Sequence, residues 1–298
     1  MMKKMRWLKV LLVAVLLCLP LTAVARDIDP VVSTDWLQEN LTNPKLIIVD
    51  VRKVEDYKAG HVPGAVNVFY GSWVVKKGEL LNELPPWDDL LDVIGNAGIS
   101  KSSWVVIVGK TEKVPDQFDM TRVAWTLKSA GVENSAILNG GQDQWVREKR
   151  SLSQEMVKAK AKPYKADVSG NLFVDKDFVI KRMGIATLID ARGPAAYAGK
   201  EKLPFVAKMG RIKGSVNLPV ALLYTKEGLY KGKSELAPLA EKAAGSDRNK
   251  EIIIYCDTGK TATSWAFIMT DMLGYKNIKV YDGSFQEWAA DSQLPMEP

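Results

Sequence analysis

Ile252-Ile253-Ile254-Tyr255-Cys256-Asp257-Thr258-Gly259-Lys260-Thr261-Ala262 is the stretch that decides the fold. Four consecutive apolar residues, three of them β-branched, read as a strand buried on both faces. The polar, glycine-bearing Asp257 to Lys260 then breaks the strand. An amphipathic run from Thr261 to Leu273 reads as a helix. A buried strand, a tight loop and a helix in that order make one unit of a parallel α/β sheet.

Working outward, Thr187 to Asp190 and Ile278 to Tyr281 read as further buried strands, and Ser234 to Ala244 and Phe285 to Ala290 as helices. The same units occur earlier in the chain. Leu46-Ile47-Ile48-Val49-Asp50-Val51-Arg52 resembles Thr187-Leu188-Ile189-Asp190-Ala191-Arg192. Gly60-His61-Val62-Pro63-Gly64-Ala65-Val66-Asn67 resembles Gly210-Arg211-Ile212-Lys213-Gly214-Ser215-Val216-Asn217. Val105 to Val108 corresponds to Ile252 to Tyr255, and Asn139-Gly140-Gly141 with Trp145 corresponds to Asp282-Gly283-Ser284 with Trp288. Between the first two motifs the spacing grows by about ten residues in the second half, which places an insertion within Gly199 to Met209. The chain is therefore read as two tandem copies of one α/β domain, 26–150 and 169–298. Arg147 to Val168, rich in Lys, Ala and Ser, contains the linker, 151–168. Ser33 before Asp35-Trp36-Leu37 is the expected N-cap of the first domain's opening helix.

The first 25 residues belong to neither domain. Lys3, Lys4, Arg6 and Lys9 precede the apolar Leu11 to Leu19, and Ala23-Val24-Ala25 offers a small-x-small cleavage site. This pattern is that of a secretory signal peptide, and the expected location is periplasmic or secreted, with no stable membrane anchor after cleavage. Removing four of the 41 basic residues leaves 37 against 35 acidic, a net charge of +2. That excess implies no nucleic-acid partner. The signal also removes Cys18, so Cys256 is the only cysteine of the mature chain. With one histidine and one cysteine, neither a Cys/His zinc site nor a redox CxxC pair can form. No metal and no cofactor is expected.

The repeat is an internal control. The pairs Asp50/Arg52 and Asp190/Arg192 and the Gly-x-x-x-Gly turns occur in both halves, so they read first as scaffold. His61, in the half without a cysteine, also reads as structural. Cys256 is unique to the second half, where the matching position of the first is Gly109. At the carboxyl end of a central parallel strand, in a loop before a helix, it sits where open α/β sheets bind ligands. The loop N–H groups, the helix N-terminus and Lys260 are all expected to favour an anion at the sulfur.

These motifs in this order resemble the rhodanese superfamily, in particular its tandem-domain thiosulfate and mercaptopyruvate sulfurtransferases. The residues that match are Asp190-x-Arg192, Tyr197, Gly210 to Asn217, Cys256-x-x-Gly259-x-Thr261 and Tyr281-Asp282-Gly283-Ser284 with Glu287-Trp288. The resemblance implies two rhodanese-like domains, the first non-catalytic, with a site near their interface. It also implies a persulfide on Cys256, formed from a small sulfur donor such as thiosulfate and passed to a thiophilic acceptor such as cyanide or a thiol, with a redox protein as a further candidate partner. Asp257, Thr258, Gly259, Lys260, Thr261, Arg192 and Arg211 are the candidate substrate-binding or persulfide-stabilising residues. Thiosulfate enzymes of the family carry basic residues where this chain has Thr258 and Ala196. The charge is expected instead from Lys260 or from Lys200, Lys202 and Lys208 in the insertion. Mercaptopyruvate or polysulfide as donor, a cysteine-type phosphatase and a non-catalytic sulfur-carrier or binding module are the competing readings. The phosphatase lacks its phosphate-clamping arginine, because Ala262 follows Thr261.

Overall fold

The computed structural model describes residues 26–112, 116–166, 168 and 172–298. The candidate signal peptide lies outside them. The first domain contains β1 (Val31–Val32), α1 (Thr34–Asn40), β2 (Leu46–Asp50), α2 (Val54–Ala59), β3 (Val66–Asn67), β4 (Val75–Lys77), β5 (Leu80–Glu83), α3 (Trp87–Asn96), β6 (Trp104–Val108), α4 (Gln117–Ser129), β7 (Ser135–Leu138) and α5 (Gly141–Arg147). The second contains β8 (Phe173–Val174), α6 (Lys176–Arg182), β9 (Thr187–Asp190), α7 (Pro194–Tyr197), β10 (Arg211–Ile212), β11 (Val216–Asn217), α8 (Lys233–Ala244), β12 (Ile252–Tyr255), α9 (Ala262–Phe267), β13 (Ile278–Tyr281), α10 (Ser284–Ala290) and β14 (Met296–Glu297).

Each domain is built on a five-stranded parallel sheet, β3-β2-β6-β7-β1 in the first and β11-β9-β12-β13-β8 in the second. Corresponding strands occupy corresponding places, as an α/β repeat requires. The three second-domain strands read from the sequence have the expected bounds. The helix expected from Thr261 to Leu273 is divided: α9 passes into a wider π-type turn over Ile268–Met272. Ser33 caps α1 by accepting from the Trp36 N–H at 3.0 Å.

Residues common to both halves make the same bonds twice. Arg52 and Arg192 each donate to the carboxylate two residues earlier, at 2.6 Å from the terminal nitrogen. The same nitrogens reach the carbonyls of Gly60 and Gly210. Tyr57 and Tyr197 donate to Ala65 O and Ser215 O, both at 2.7 Å. His61 is buried and stacked on Tyr57, with ring centroids 3.7 Å apart. These are the bonds of a scaffold that fixes the turn after the second strand of each sheet.

Apolar packing does not stop at the domain boundary. One continuous cluster of buried side chains contains Val49, Met120 and Trp125 of the first domain together with Ile254, Cys256, Trp265 and Phe267 of the second. The two outer faces have their own clusters, around Tyr57 and Trp145 and around Tyr255 and Trp288. Helices α4 and α9 meet at the seam, where the Thr121 and Ser264 hydroxyls lie 2.8 Å apart. The segment after α5 runs extended along the first domain. Ser153 pairs with His61 through both backbone groups, the Lys162 N–H donates to Gly95 O, and the Tyr164 hydroxyl donates to Ala130 O.

Candidate active site

Cys256 follows β12, the central strand of the second sheet, and is 1 % exposed. Its N–H donates to the Ser284 hydroxyl at 3.2 Å, and that hydroxyl donates to Tyr281 O at 2.7 Å. The first N–H groups of α10 close the loop from the same side: Phe285 N–H donates to Cys256 O and Gln286 N–H to Asp257 O, both at 2.9 Å. Gly259 turns the chain at φ +69°, and a Cβ there would lie 2.4 Å from Asp282 O. Only glycine satisfies both the left-handed backbone and that close approach.

The sulfur is surrounded by backbone donors. Burial pushes the Cys256 thiol pKa up, and the Asp257 carboxylate pushes it further. Hydrogen bonds from the N–H groups of Ala262, Thr258 and Thr261 pull it back down, but only in part. The N–H groups of the loop and of the start of α9 thus act in the expected direction, but burial and Asp257 outweigh them and leave the thiol pKa raised. Lys260 turns its ammonium group onto Asp119 of the first domain, with the Tyr70 ring 4.7 Å away. Its charge is spent across the interface.

Two of the three insertion lysines make their contacts elsewhere. Lys202 donates to Val206 O within the insertion, and Lys208 lines a hollow with Pro298. The insertion residue whose charge acts on Asp257 is Glu201. Asp257 itself is pushed up to about 6, chiefly by burial, with Arg192 opposing and Asp190 and Glu201 reinforcing.

The remaining candidates divide. Thr258, Gly259, Lys260, Thr261 and Asp257 share the loop with Cys256. Arg192 approaches it, with one terminal nitrogen 3.8 Å from Asp257, while its other donors hold Asp190 and Gly210 O. Arg211 makes its contacts elsewhere, with Glu297, the Pro298 carbonyl and the Tyr197 ring.

Four first-domain residues complete the site and were not singled out by sequence reading: Tyr70, Asn82, Asp119 and Arg122. Asn82 donates to the Thr258 hydroxyl at 3.0 Å and accepts from the Tyr70 hydroxyl at 3.2 Å. Burial drives the Tyr70 phenol pKa well up, so it stays a donor. Arg122, fully buried, donates to Gly259 O at 3.3 Å and to Asn82 O at 2.8 Å, and lies 2.7 Å from Asp282. Asn82 and Ser284 are two of the three non-glycine residues with positive φ among the described residues, and both bond to the Cys256 loop. Strain of that kind persists where the surroundings over-determine it. The repeat held a signal for Arg122: the matching helix, Thr261 to Leu273, contains no basic residue.

The first domain has no counterpart to the thiol. At Gly109 a Cβ would meet Met120 Cγ at 2.9 Å and Val51 Cγ2 at 3.3 Å, so neighbouring side chains already fill the space.

A buried thiol, the only cysteine among the described residues, at the carboxyl edge of a parallel sheet, cradled by loop N–H groups and faced by a thiol-free copy of the same fold, defines a tandem α/β protein with one thiol-bearing domain. The chain belongs to the Rhodanese-like domain family, which matches residues 33–148 and 176–291. It is 30 % identical over 301 residues to a "Putative thiosulfate sulfurtransferase" of Synechococcus elongatus, covering 96 % of this chain and 92 % of that one. It is 29 % identical over 275 residues to the "Sulfur carrier protein TtuD" of Thermus thermophilus, covering 87 % and 93 %. The fold matches the crystal structure of YnjE with a TM-score of 0.78 at 20 % identity, over 90 % of this chain and 68 % of that one. It matches the anaerobic ergothioneine biosynthesis enzyme from Chlorobium limicola equally well, with a TM-score of 0.78 at 20 % identity, over 90 % and 70 %.

Proposed function

We propose that this protein is a sulfurtransferase that carries sulfane sulfur on Cys256. The observation that carries the reading is the buried thiol faced by the N–H groups of Thr258, Thr261 and Ala262. With thiosulfate, the Cys256 thiolate attacks the outer sulfur. The S–S bond of thiosulfate breaks, and sulfite leaves with the bonding pair. The terminal sulfur of the new persulfide bears the negative charge, which the loop N–H groups stabilise as they would an oxyanion. A nucleophilic acceptor, cyanide or a thiolate, then attacks that terminal sulfur and the Cys256 thiolate leaves. Splitting the transfer into two displacements is the ordinary gain of covalent catalysis.

Relatives named for thiosulfate sulfur transfer and for sulfur carriage, each spanning most of both chains, support this reading. The N-terminal sequence pattern supports export to a periplasmic or extracellular space, with Arg26 as the first mature residue. A thiol buried under a second domain suits an oxidising compartment, because small donors reach it more readily than another protein's thiol does.

The test is Cys256→Ser in the mature chain, with thiosulfate, mercaptopyruvate, polysulfide and glutathione persulfide as donors and cyanide as acceptor. We expect native circular dichroism, loss of transfer from every donor, and loss of the added sulfur from the intact mass. Wild-type turnover in the variant would end the reading. The mass of the protein from its native compartment tests export: a chain that still begins at Met1 would reject it.

A further inference from the structure

We propose that a second cleft between the domains, outside the Cys256 loop, binds a small organic cation: an ammonium group carried on an apolar body. The cleft, about 500 Å³, is of the size that takes small ligands. Its walls come from both domains, with Glu83 and Trp87 from the first and Phe173, Phe178, Asp282 and Glu287 from the second.

Glu83 is 7 % exposed, and its Oε1 has no hydrogen-bond partner among the described residues. Buried carboxylate oxygens are nearly always partnered, so an orphan that lines a cleft calls for a donor inside it. Of the charges that act on Glu83, Asp282 and Glu287 share its sign, while Lys77 and Arg122 oppose it. Asp282 is neutralised from beneath by Arg122 at 2.7 Å, and Glu287 only accepts a hydrogen bond, from the Tyr281 hydroxyl at 2.7 Å. Lys77 comes no nearer than 4.0 Å, to the other oxygen of Glu83, and is itself largely solvated. The carboxylates are too dispersed for a metal: among the described residues no three acidic, histidine or cysteine side chains come together to hold one. What they suit is a larger, diffuse cation, with Trp87 to cover its apolar part beside Phe173 and Phe178, whose rings also carry Arg122 and Arg182.

Protonation of Glu83 agrees with this geometry. Burial, then Asp282, raise its pKa to about 7, with Lys77 and Arg122 opposing and Glu287 adding to the rise. Below that pH Glu83 is a neutral acid, and above it a carboxylate. A permanently charged ligand should therefore bind more tightly as pH rises through 7 and should expel a proton as it binds.

The experiment is isothermal titration calorimetry on the mature chain, with four probes: phenethylamine, phenethyltrimethylammonium, N-acetylphenethylamine and 3-phenylpropionate. No sulfur transfer is measured, so the outcome is independent of the function proposed above. Both cations should bind at least about tenfold more tightly than the neutral and anionic probes. The quaternary ion should gain affinity from pH 6 to pH 8. Glu83→Gln should weaken it about tenfold or more, and Lys77→Met should tighten it. Equal binding of the neutral and cationic probes, preference for the anion, or no heat from either cation at roughly 5 mM would overturn the proposal. Retained affinity in a folded Glu83→Gln variant would do the same. Should that variant not fold, unchanged or weaker cation binding in Lys77→Met decides against the site.

Discussion

Lys260 pairs with Asp119 across the domain interface, one residue inside the cysteine loop and the other on α4. Both side chains are about three-quarters buried, and burial raises the Asp119 pKa even with the lysine present. Lys260→Met therefore leaves a partly buried carboxylate without its partner. The expected result is a loss of about 1–2 kcal/mol of stability, less than for a fully buried pair because water screens part of the charge. The alkylation-rate pH profile of Cys256 should stay where it is. A clear alkaline shift of that profile would return Lys260 to the role of thiolate stabiliser.

Asp257 is the charged neighbour that does act on the sulfur. Once ionised, above about pH 6, it opposes formation of the thiolate. Asp257→Asn removes that repulsion and keeps the shape. The pKa of Cys256 should fall, and the alkylation rate at pH 7 should rise by up to about tenfold. The sign for stability follows from the same shift. A carboxyl whose pKa is higher folded than unfolded loses stability as pH rises from its unfolded value, near 4, to about 6. The variant should therefore lose less stability than the wild type between pH 4 and pH 7. An unmoved alkylation profile would show that Asp257 is screened from the sulfur.

The parts of the site that were legible in the sequence are local ones. Cys256, Gly259 and Thr261 lie within six positions of one another, and the strand before them declares itself by its run of isoleucines. The scaffold was legible because it is written twice: Asp50/Arg52 and Asp190/Arg192 make the same bonds in both sheets. Asn82 was not legible. Its partner Thr258 is 176 positions away, and they meet only because two domains dock through α4 and α9. Lys260 misled for the same reason. Proximity in sequence to Cys256 set the expectation, whereas the direction of its side chain is set by Asp119 in the other domain.

Gly259→Ala tests how tightly the loop is determined. The left-handed backbone at φ +69° costs an alanine about 1–2 kcal/mol, and the contact 2.4 Å from Asp282 O adds to it. Relief requires either the loop or the Asp282–Ser284 turn to move, which would disturb the Ser284 bond to Cys256 N–H. Thermal unfolding several degrees lower and transfer reduced at least about tenfold are expected. An unchanged melting temperature with full activity would mean that the loop adapts freely and that its N–H cradle is not preorganised.

The second domain should not work alone. Cut from about Lys165 onward, it would lose α4 from the seam and expose Trp265, Phe267 and their neighbours, now in one cluster with Met120 and Trp125. It would also lose Arg122, the buried cation that meets Asp282 and the Gly259 carbonyl, and Asn82, which holds Thr258. Removing one partner of a buried ion pair typically costs about 3–5 kcal/mol, so Arg122→Met in the intact chain samples the same loss with the apolar seam kept. We expect the isolated domain to aggregate or to retain little transfer, and Arg122→Met to be soluble, less stable and slower. The first domain then acts as the far wall of the active site and as the support that orders its loop, a role that needs no thiol of its own. An isolated second domain that is monomeric by sedimentation and has full kcat/KM would show that the loop orders itself, leaving Asn82 and Arg122 as bonds between domains and nothing more.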